Sequence, residues 1–395
     1  MLSTVLAPFV TFKLAQNFVT SLNYMNQSSE CIRPRKSYLD TLRFFAIITV
    51  VFLHTYQRIP IFTIPVYPFL PGVPIFLIIS GGLIIPRATK CPPLQFYRKY
   101  WKRILQFVCL IPVSGIITNT LVWYCMGGSL TLRQANLIPS SADLISVGSI
   151  SITEAFIKAL TTGNGLYPNY FRVLDSHTWY LYLITLLYLL SPFIAIMFRK
   201  LGTRISLLLI LIYFAGMFLI YTLKLDNSLK PFSTIASYAI YFPLGYFLIE
   251  ENLFAKGTLT QYTFFALGLL LLISNCLLPQ NKAEWYLDAS KHIIPPLISV
   301  GLTLICRDYL SSYCMGFYKK LRNGAKLFIN LISQCAFGIY LWHFAILWVV
   351  SIYFPFQSSP KNPTLFLFYF SAGLFIPVII TKALGRTPFL RWLVS

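Results

Sequence analysis

The stretch from residue 37 to residue 58, SYLDTLRFFAIITVVFLHTYQR, holds the strongest candidates for chemistry in the chain. Arg43 and His54 are separated by three helical turns plus about 20°, so both point along one helix face, about 16 Å apart. Asp40 lies within about 60° of that face. An imidazole can accept and return a proton near neutral pH. The pattern therefore predicts a polar site, although an interface-anchoring arginine and a histidine hydrogen-bonded between helices would produce it too.

The remaining histidines are His177, His292 and His343. In the topology derived below, all four histidines fall in the outer half of the membrane or at its outer surface. A cluster of imidazoles there suits the removal of a proton from a hydroxyl that arrives from outside. We interpret His292 as an ordinary interfacial residue and keep His177 and His343 as candidates.

A basic and aromatic cluster, QFYRKYWKRIL, leads into the third long apolar segment. Its basic residues are Arg98, Lys99, Lys102 and Arg103. Guanidinium and ammonium groups bind phosphates, and the interleaved aromatic rings could stack on an adenine. Composition alone favours a simpler interpretation, in which the cluster anchors the segment at the cytoplasmic surface.

Composition excludes a soluble protein. Of the 395 residues, 57% are hydrophobic and 11% are charged, whereas about a quarter of the residues in a soluble domain are charged. The mean hydropathy is +0.69. The eight cysteines are scattered without a CxxC pair, so we interpret them as small core residues and predict no metal site. Walker, GxSxG, HExxH and dinucleotide-binding motifs are absent from the sequence.

Ten apolar segments are long enough to span a bilayer, which requires about 20 residues. They are 39–57, 67–86, 104–125, 178–198, 205–223, 233–250, 260–279, 292–310, 328–353 and 364–384. The second contains Pro71, Gly72, Pro74, Gly81 and Gly82, and we expect it to be kinked or partly re-entrant. The predicted fold class is therefore an all-α polytopic membrane protein.

The basic residues predict the orientation of these spans. With both termini in the cytoplasm, 23 of the 32 lysines and arginines and 5 of the 11 acidic residues lie inside. The net charge of +21 then reports topology and not a nucleic-acid partner. The predicted organisation is a cytoplasmic lead at 1–37, a ten-span membrane domain at 38–386 whose longest extracytoplasmic loop is 126–177, and a cytoplasmic tail at 387–395.

Five stretches, taken in order, resemble the acyltransferase 3 family of integral-membrane O-acyltransferases. They are YLDTLRFFAIITVVFLH with its Arg43-x10-His54 pair, PGVPIFLIISGGLI, FYRKYWKRI, HTWYLYLITLLYLLSP and FGIYLWHFAIL. The resemblance runs from about residue 38 to residue 384. Gly82 departs from the family pattern, since an aromatic residue is common at that position.

The resemblance implies transfer of an acyl group, most often acetyl, from cytoplasmic acyl-CoA to a hydroxyl of an envelope sugar. The expected acceptor is a lipopolysaccharide O-antigen or another envelope polysaccharide, and the expected location is the bacterial inner membrane. Acyl-CoA is a donor substrate here, and no bound cofactor is expected. The expected partners are acyl-CoA, the envelope glycan or lipid-linked sugar acceptor and the lipid bilayer.

The resemblance also implies roles for individual residues. His54 is expected to be the general base or a transient acyl carrier, and Arg43 to position the thioester or stabilise developing negative charge. Asp40 is expected to orient Arg43. Second-rank candidates for acceptor binding are His343 and His177. The candidates for binding the CoA phosphates are Arg98, Lys99 and Arg103.

A secondary transporter or flippase for a lipid-linked sugar is the main alternative. Transporters commonly show matched broken helices in two halves of the chain. This sequence has one Pro/Gly-interrupted span near its start and no obvious counterpart later. A weaker alternative is a non-catalytic membrane partner of envelope enzymes, which would tolerate the loss of Arg43 or His54.

Overall fold

The computed structural model describes residues 37–59, 70–125, 179–222, 237–251, 259–277, 284–312, 323–354 and 362–394. These residues are almost entirely helical and none lies in a β-strand, which confirms the predicted all-α class. The helices are α1 (Ser37–Arg58), α2 (Gly72–Ala88), α3 (Pro93–Cys125), α4 (Trp179–Thr222), α5 (Tyr241–Ile249), α6 (Thr260–Leu277), α7 (Glu284–Ser312), α8 (Asn323–Tyr353), α9 (Pro363–Arg386) and α10 (Pro388–Val394). Nearly all of the predicted N-terminal lead and of the longest predicted loop lies outside the described residues.

Four described stretches are long and apolar enough to cross a bilayer. They are Tyr38–Arg58, Trp179–Met217, Gly324–Tyr353 and Pro363–Arg386. Shorter apolar helices occupy Gly72–Ala88, Ser237–Ile249 and Tyr262–Ser274. Apolar helices of this number and length are characteristic of a membrane protein. The number of ten spans and the cytoplasmic position of both termini stay predictions.

Helix α4 contains a break at Gly202, where the sequence predicts a connection between two spans. Gly202 has φ 74° and ψ 167°, a conformation that a glycine adopts without strain. Before the break, Phe198 contacts Phe247 near the end of α5. After it, Phe214 contacts Tyr241 at the start of α5. A straight helix would separate residues 198 and 214 by about 24 Å, so these contacts show that the chain turns back at Gly202.

Helices α2 and α5 pack with their backbones in contact, because glycine lies at the crossing on both sides. A Cβ atom on Gly81 would overlap the carbonyl oxygen of Phe242, and one on Gly245 would overlap that of Ile78. Gly82 is enclosed as well, against the carbonyl oxygen of Gly245. An aromatic residue, common in the family at position 82, has no space here.

The described part of the second predicted span is one uninterrupted helix with Pro86 near its end, and the kinked or partly re-entrant course stays a prediction. Pro71 precedes the first helical residue and Pro74 lies in the first turn, where a missing backbone N–H breaks no helical hydrogen bond. Helix α2 begins beside the middle of α1, since a Cβ atom on Gly72 would meet the Thr49 side chain and the Ala46 carbonyl oxygen. Residues 60–69, which lead into it, lie outside the described residues.

Helix α8 is the most enclosed of the four long apolar helices. Within its most apolar window 72% of the residues are buried, against 39% for α9. It packs against α1, α3 and α9. Exposed apolar side chains such as Leu208 in α4 and Ile379 in α9 face outward, as expected for lipid contact. Side chains on α8 therefore form the surroundings of Asp40, Arg43 and His54, which we call the polar stripe of α1.

Candidate active site

An ion pair occupies the N-terminal part of α1. The Arg43 Nη1 donates to Asp40 Oδ1 over 2.9 Å, and the Ser333 hydroxyl of α8 donates to the same oxygen over 3.2 Å. Asp40 is only 4% exposed, whereas the Arg43 side chain is 32% exposed. The buried carboxylate therefore holds the guanidinium against α8 and leaves part of it accessible. This is the arrangement that an orienting role for Asp40 requires.

Two of the four histidines lie side by side at the opposite end of the same interface. The rings of His54 on α1 and His343 on α8 have centroids 5.2 Å apart. His343 is fully buried, and its Nδ1 donates to the carbonyl oxygen of Ile339 over 2.9 Å. Both histidines also contact the Phe344 ring. We call His54 and His343 the histidine pair.

The side chain of Gln57 orients the His54 ring. His54 Nδ1 lies 3.0 Å from Gln57 Oε1. With this oxygen as the acceptor, Nδ1 is the protonated nitrogen of the neutral ring and Nε2 carries the lone pair. A base held in one tautomer by a hydrogen bond is the arrangement that general-base catalysis needs.

Arg58, one turn beyond His54, completes the C-terminal end of α1. Its guanidinium carbon lies 5.1 Å from the centre of the Phe344 ring and 4.9 Å from that of Trp348. Its Nε donates to Ser351 Oγ over 3.3 Å, and its Nη1 donates to the His54 carbonyl oxygen over 3.4 Å. A cation is therefore placed directly beside the histidine pair.

In the third turn of α3, Arg103 points into the bundle. Its guanidinium carbon lies 4.8 Å from the centre of the Phe107 ring and 5.0 Å from that of Phe337 on α8. Its Nη1 donates to Gln106 Oε1 over 2.6 Å, and the Gln106 amide donates to the backbone oxygen of Trp392. The predicted tail, folded as α10, thus helps to hold Arg103.

The structure separates Arg103 from the other predicted phosphate-binding residues. Arg98 and Lys99 are exposed, whereas Arg103 is half-buried. The exposed pair is suited to attracting an anion at the surface, and Arg103 to holding one further in.

Three arginines from three helices lie in the surroundings of Tyr188 of α4. Tyr188 lies within electrostatic range of Arg43, Arg87 and Arg103, and it hydrogen-bonds Arg103. Arg87 Nη1 donates to the Tyr100 hydroxyl over 3.2 Å. We call Arg43, Arg87 and Arg103 the inner basic cluster, because they lie on the side of the bundle that the sequence predicts to be cytoplasmic. Such a cluster is suited to a polyanionic ligand such as a nucleotide phosphate chain.

A row of buried aromatic side chains leads from the inner basic cluster to the histidine pair. Tyr188 interacts electrostatically with Tyr180, whose ring centroid lies 5.2 Å from that of Tyr340 on α8. The Tyr340 ring lies 6.2 Å from that of His343. All three tyrosines are less than a tenth exposed. The two polar regions are thus joined by side chains that combine an apolar ring with a polar tip.

The structure does not place the side chains of one predicted site residue, His177, and of His292, which we interpret as interfacial. His177 lies outside the described residues, and so does the side chain of His292. Within the described part of the chain, no group of three His, Cys, Asp or Glu side chains could hold a metal ion.

Sequence reasoning missed Gln57, Arg58 and Arg87. Arg58 follows His54 by four residues, and residues at this spacing are neighbours on a helix surface, so the sequence carried a signal for it. Gln57 has the equivalent three-residue spacing. Arg87 had no such signal, because its position depends on how α2 packs against α3 and α4.

Comparison with known proteins identifies the family of the chain. A family model described as an acyltransferase domain matches residues 36–382, a range that contains the ion pair, the inner basic cluster and the histidine pair. No curated protein and no solved structure matches the chain. The family model covers most of the sequence, and the helices that carry it are those of a membrane protein. The chain therefore belongs to the acyltransferase 3 family and is a membrane acyltransferase.

Proposed function

We propose that the protein transfers an acetyl or other acyl group from cytoplasmic acyl-CoA to a sugar hydroxyl of a cell-envelope polysaccharide. The observation that carries this proposal is the polar interface between α1 and α8. It has an arginine cluster at one end and a histidine pair about 16 Å away along α1. The inner end is suited to an anionic donor and the outer end to proton removal from a hydroxyl.

The donor would bind at the inner basic cluster. Arg87 and Arg103 present guanidinium groups, which form paired hydrogen bonds with phosphate oxygens. Arg98 and Lys99 are exposed on the same helix as Arg103, where they would meet the nucleotide end of CoA. The distance of about 16 Å along α1 is comparable to the reach of an extended pantetheine arm. The thioester would follow the row of tyrosines toward His54.

At the histidine pair, His54 Nε2 would take the proton from the sugar hydroxyl. The hydroxyl oxygen then attacks the thioester carbonyl carbon, a C–O bond forms, and the tetrahedral intermediate collapses with cleavage of the C–S bond. The imidazolium of His54 returns the proton to the departing CoA thiolate. The products are the sugar ester and CoA thiol, so atoms and charge balance without a further reactant.

The proposal leaves one alternative for His54 and assigns supporting roles to the neighbouring residues. His54 could instead accept the acyl group on Nε2 and pass it to the sugar in a second step. His343, which contacts His54, and His177 would contribute to acceptor binding. Arg43 would position the thioester or balance charge, oriented by its ion pair with Asp40.

The proposed location is the bacterial inner membrane, with the acceptor on the outer side. A lipopolysaccharide O-antigen sugar is the first choice of acceptor. Membership in an acyltransferase family favours acyl transfer over the transporter alternative.

The function is tested by mass spectrometry of the envelope polysaccharide from cells with the gene, without it, and with it restored on a plasmid. We expect one acyl group per repeat unit in the first and third samples and none in the second. In parallel, the purified protein in lipid nanodiscs is given acetyl-CoA and the isolated polysaccharide, and release of CoA thiol is measured. An unchanged polysaccharide mass together with no thiol release would contradict the proposal.

A further inference from the structure

Arg58 is the last residue of the apolar stretch Tyr38–Arg58, and its charge is not balanced by any described residue. Its contacts are the Phe344 and Trp348 rings, the Ser351 hydroxyl and the His54 carbonyl oxygen. Aromatic faces and neutral acceptors hold a guanidinium in place but leave its net charge of +1. Within the described part of the chain, no Asp or Glu lies at ion-pair distance from it.

Two other arginines with low exposure, Arg43 and Arg307, have carboxylate partners. Arg43 pairs with Asp40 over 2.9 Å, and Arg307 pairs with Asp308 over 2.6 Å. The segments that follow the two helices around Arg58, residues 60–69 and 355–361, contain no Asp or Glu in their sequence. A half-buried arginine packed on aromatic rings without a counter-charge is costly, and such residues are candidates for ligand sites.

The donors of Arg58 are only partly used. A guanidinium has five N–H groups in a planar fork, and the described contacts use Nε and one N–H of Nη1. The remaining N–H groups can bind a carboxylate or phosphate through paired hydrogen bonds. The aromatic rings and Ser351 fix the plane of the fork in advance, which reduces the ordering that binding requires.

Arg58 lies where an acceptor must bind. It is four residues from His54, so the two side chains are neighbours on α1 with Cβ atoms about 6 Å apart. The Phe344 ring contacts both the His54 ring and the guanidinium. An anion held by Arg58 would therefore bring a nearby hydroxyl of the same molecule to His54.

We propose that Arg58 binds a negatively charged group of the acceptor, a carboxylate or a phosphate, close to the hydroxyl that is acylated. This inference rests on the proposed acyl transfer to an envelope sugar and specifies the class of acceptor. The anion could be the carboxylate of an acidic sugar in the polysaccharide, or the phosphate that links a sugar to a lipid carrier. The guanidinium recognises both in the same way.

The test identifies the acylated unit and asks whether it is anionic. Lipid-linked intermediates and mature polysaccharide are isolated from cells that carry the wild-type gene, and the acylated fragments are sequenced by tandem mass spectrometry. We expect every acylated unit either to carry a carboxylate or phosphate of its own or to be acylated already while a phosphate links it to the lipid carrier. Mild acid distinguishes the two sources, because it cleaves a sugar phosphate and leaves a uronic acid glycoside intact. A neutral unit that is acylated only after it has left the lipid carrier would overturn the proposal.

Variants of Arg58 provide the second arm of the test. Arg58→Gln should reduce the acylated fraction about 10- to 100-fold, the range expected for losing a charged hydrogen-bonded contact. Arg58→Lys should show an intermediate loss, because it keeps the charge without the fork. Arg386→Gln, an exposed position at the end of α9, is the matched control and should behave as wild type.

The outcomes separate the inference from the proposed function. If wild-type cells contain no acylated glycan, the proposed function fails. If they contain an anionic acylated glycan and Arg58→Gln makes as much of it as wild type, only the role of Arg58 fails. Membrane levels of each variant are measured by immunoblot. If Arg58→Gln does not accumulate, Arg58→Lys and the charge of the wild-type product still decide the result.

Discussion

Helix α1 carries one arginine near each end, and the two have different electrostatic environments. Arg43 is paired with the buried carboxylate of Asp40, so the chain itself balances its charge. Arg58 rests on two aromatic rings and neutral acceptors, so its charge is available to a ligand. The difference indicates that the inner arginine acts mainly through its orientation and the outer one mainly through its charge.

The largest expected effect is at the outer end, on substitution of His54. His54→Ala should lower kcat about 100-fold or more, since a positioned general base contributes about 10² to 10⁴ in rate. The measurement is CoA thiol release by the protein in nanodiscs with its polysaccharide acceptor. His292→Ala removes an imidazole that we interpret as interfacial and is the control. Full activity of His54→Ala at normal membrane levels would remove the outer end from the mechanism.

At the inner end, the largest expected effect is on donor binding. Arg103→Gln should raise KM for acyl-CoA about 10- to 100-fold, because a half-buried guanidinium on two aromatic rings is little screened by solvent. Arg98→Gln should have a smaller effect that disappears at high salt, because Arg98 is exposed. Titration of the initial rate with acetyl-CoA at two salt concentrations measures both. Equal effects of the two substitutions would show that burial does not distinguish these cations.

The ion pair predicts an intermediate effect at Arg43. Arg43→Lys should lose about tenfold in kcat/KM, since it keeps the charge but not the planar fork that Asp40 orients. Asp40→Asn should cause a similar loss, and the double variant should be no worse than the worse single one. Additive losses in this cycle would mean that Asp40 and Arg43 act independently. An equivalent double-mutant cycle is not possible for Arg58, because no described carboxylate pairs with it. This is the difference between the two ends of α1.

The smallest expected effect is at Gln57. Gln57→Leu removes one neutral hydrogen bond to the His54 ring, so we expect kcat to fall about 2- to 10-fold with KM for acyl-CoA unchanged. Gln57→Glu should retain more activity, because a carboxylate also accepts from Nδ1. A KM change without a kcat change would place Gln57 at the donor site instead.

Much of the polar stripe was predictable from α1 alone. The positions of Asp40, Arg43 and His54 on one side of the helix follow from helical periodicity, which depends only on residues close in sequence. The break between the fourth and fifth predicted spans follows from the same local signals, a glycine within a basic stretch between two apolar runs. Pro71 and Pro74 do not interrupt the helix of the second span, because they lie where a helix tolerates them.

The partners of that stripe were not predictable in the same way. Nothing in the sequence pairs Ser333 with Asp40 or brings Arg87 to Tyr188. Both contacts depend on the crossing of helices, and α2 reaches its position because Gly81 and Gly245 allow two backbones to meet. Rows of apolar residues predict burial but not which helix provides it.

By itself, the sequence determined the membrane class and the alignment of Arg43 with His54. Both follow from hydropathy and from the helical repeat, which act over one segment at a time. Only the tertiary structure decided that α8 lies against α1. That packing brings His343 to His54, sets Phe344 and Trp348 beneath Arg58, and separates half-buried Arg103 from exposed Arg98. These contacts join residues far apart in the chain, and they are selected by side-chain packing across the whole bundle.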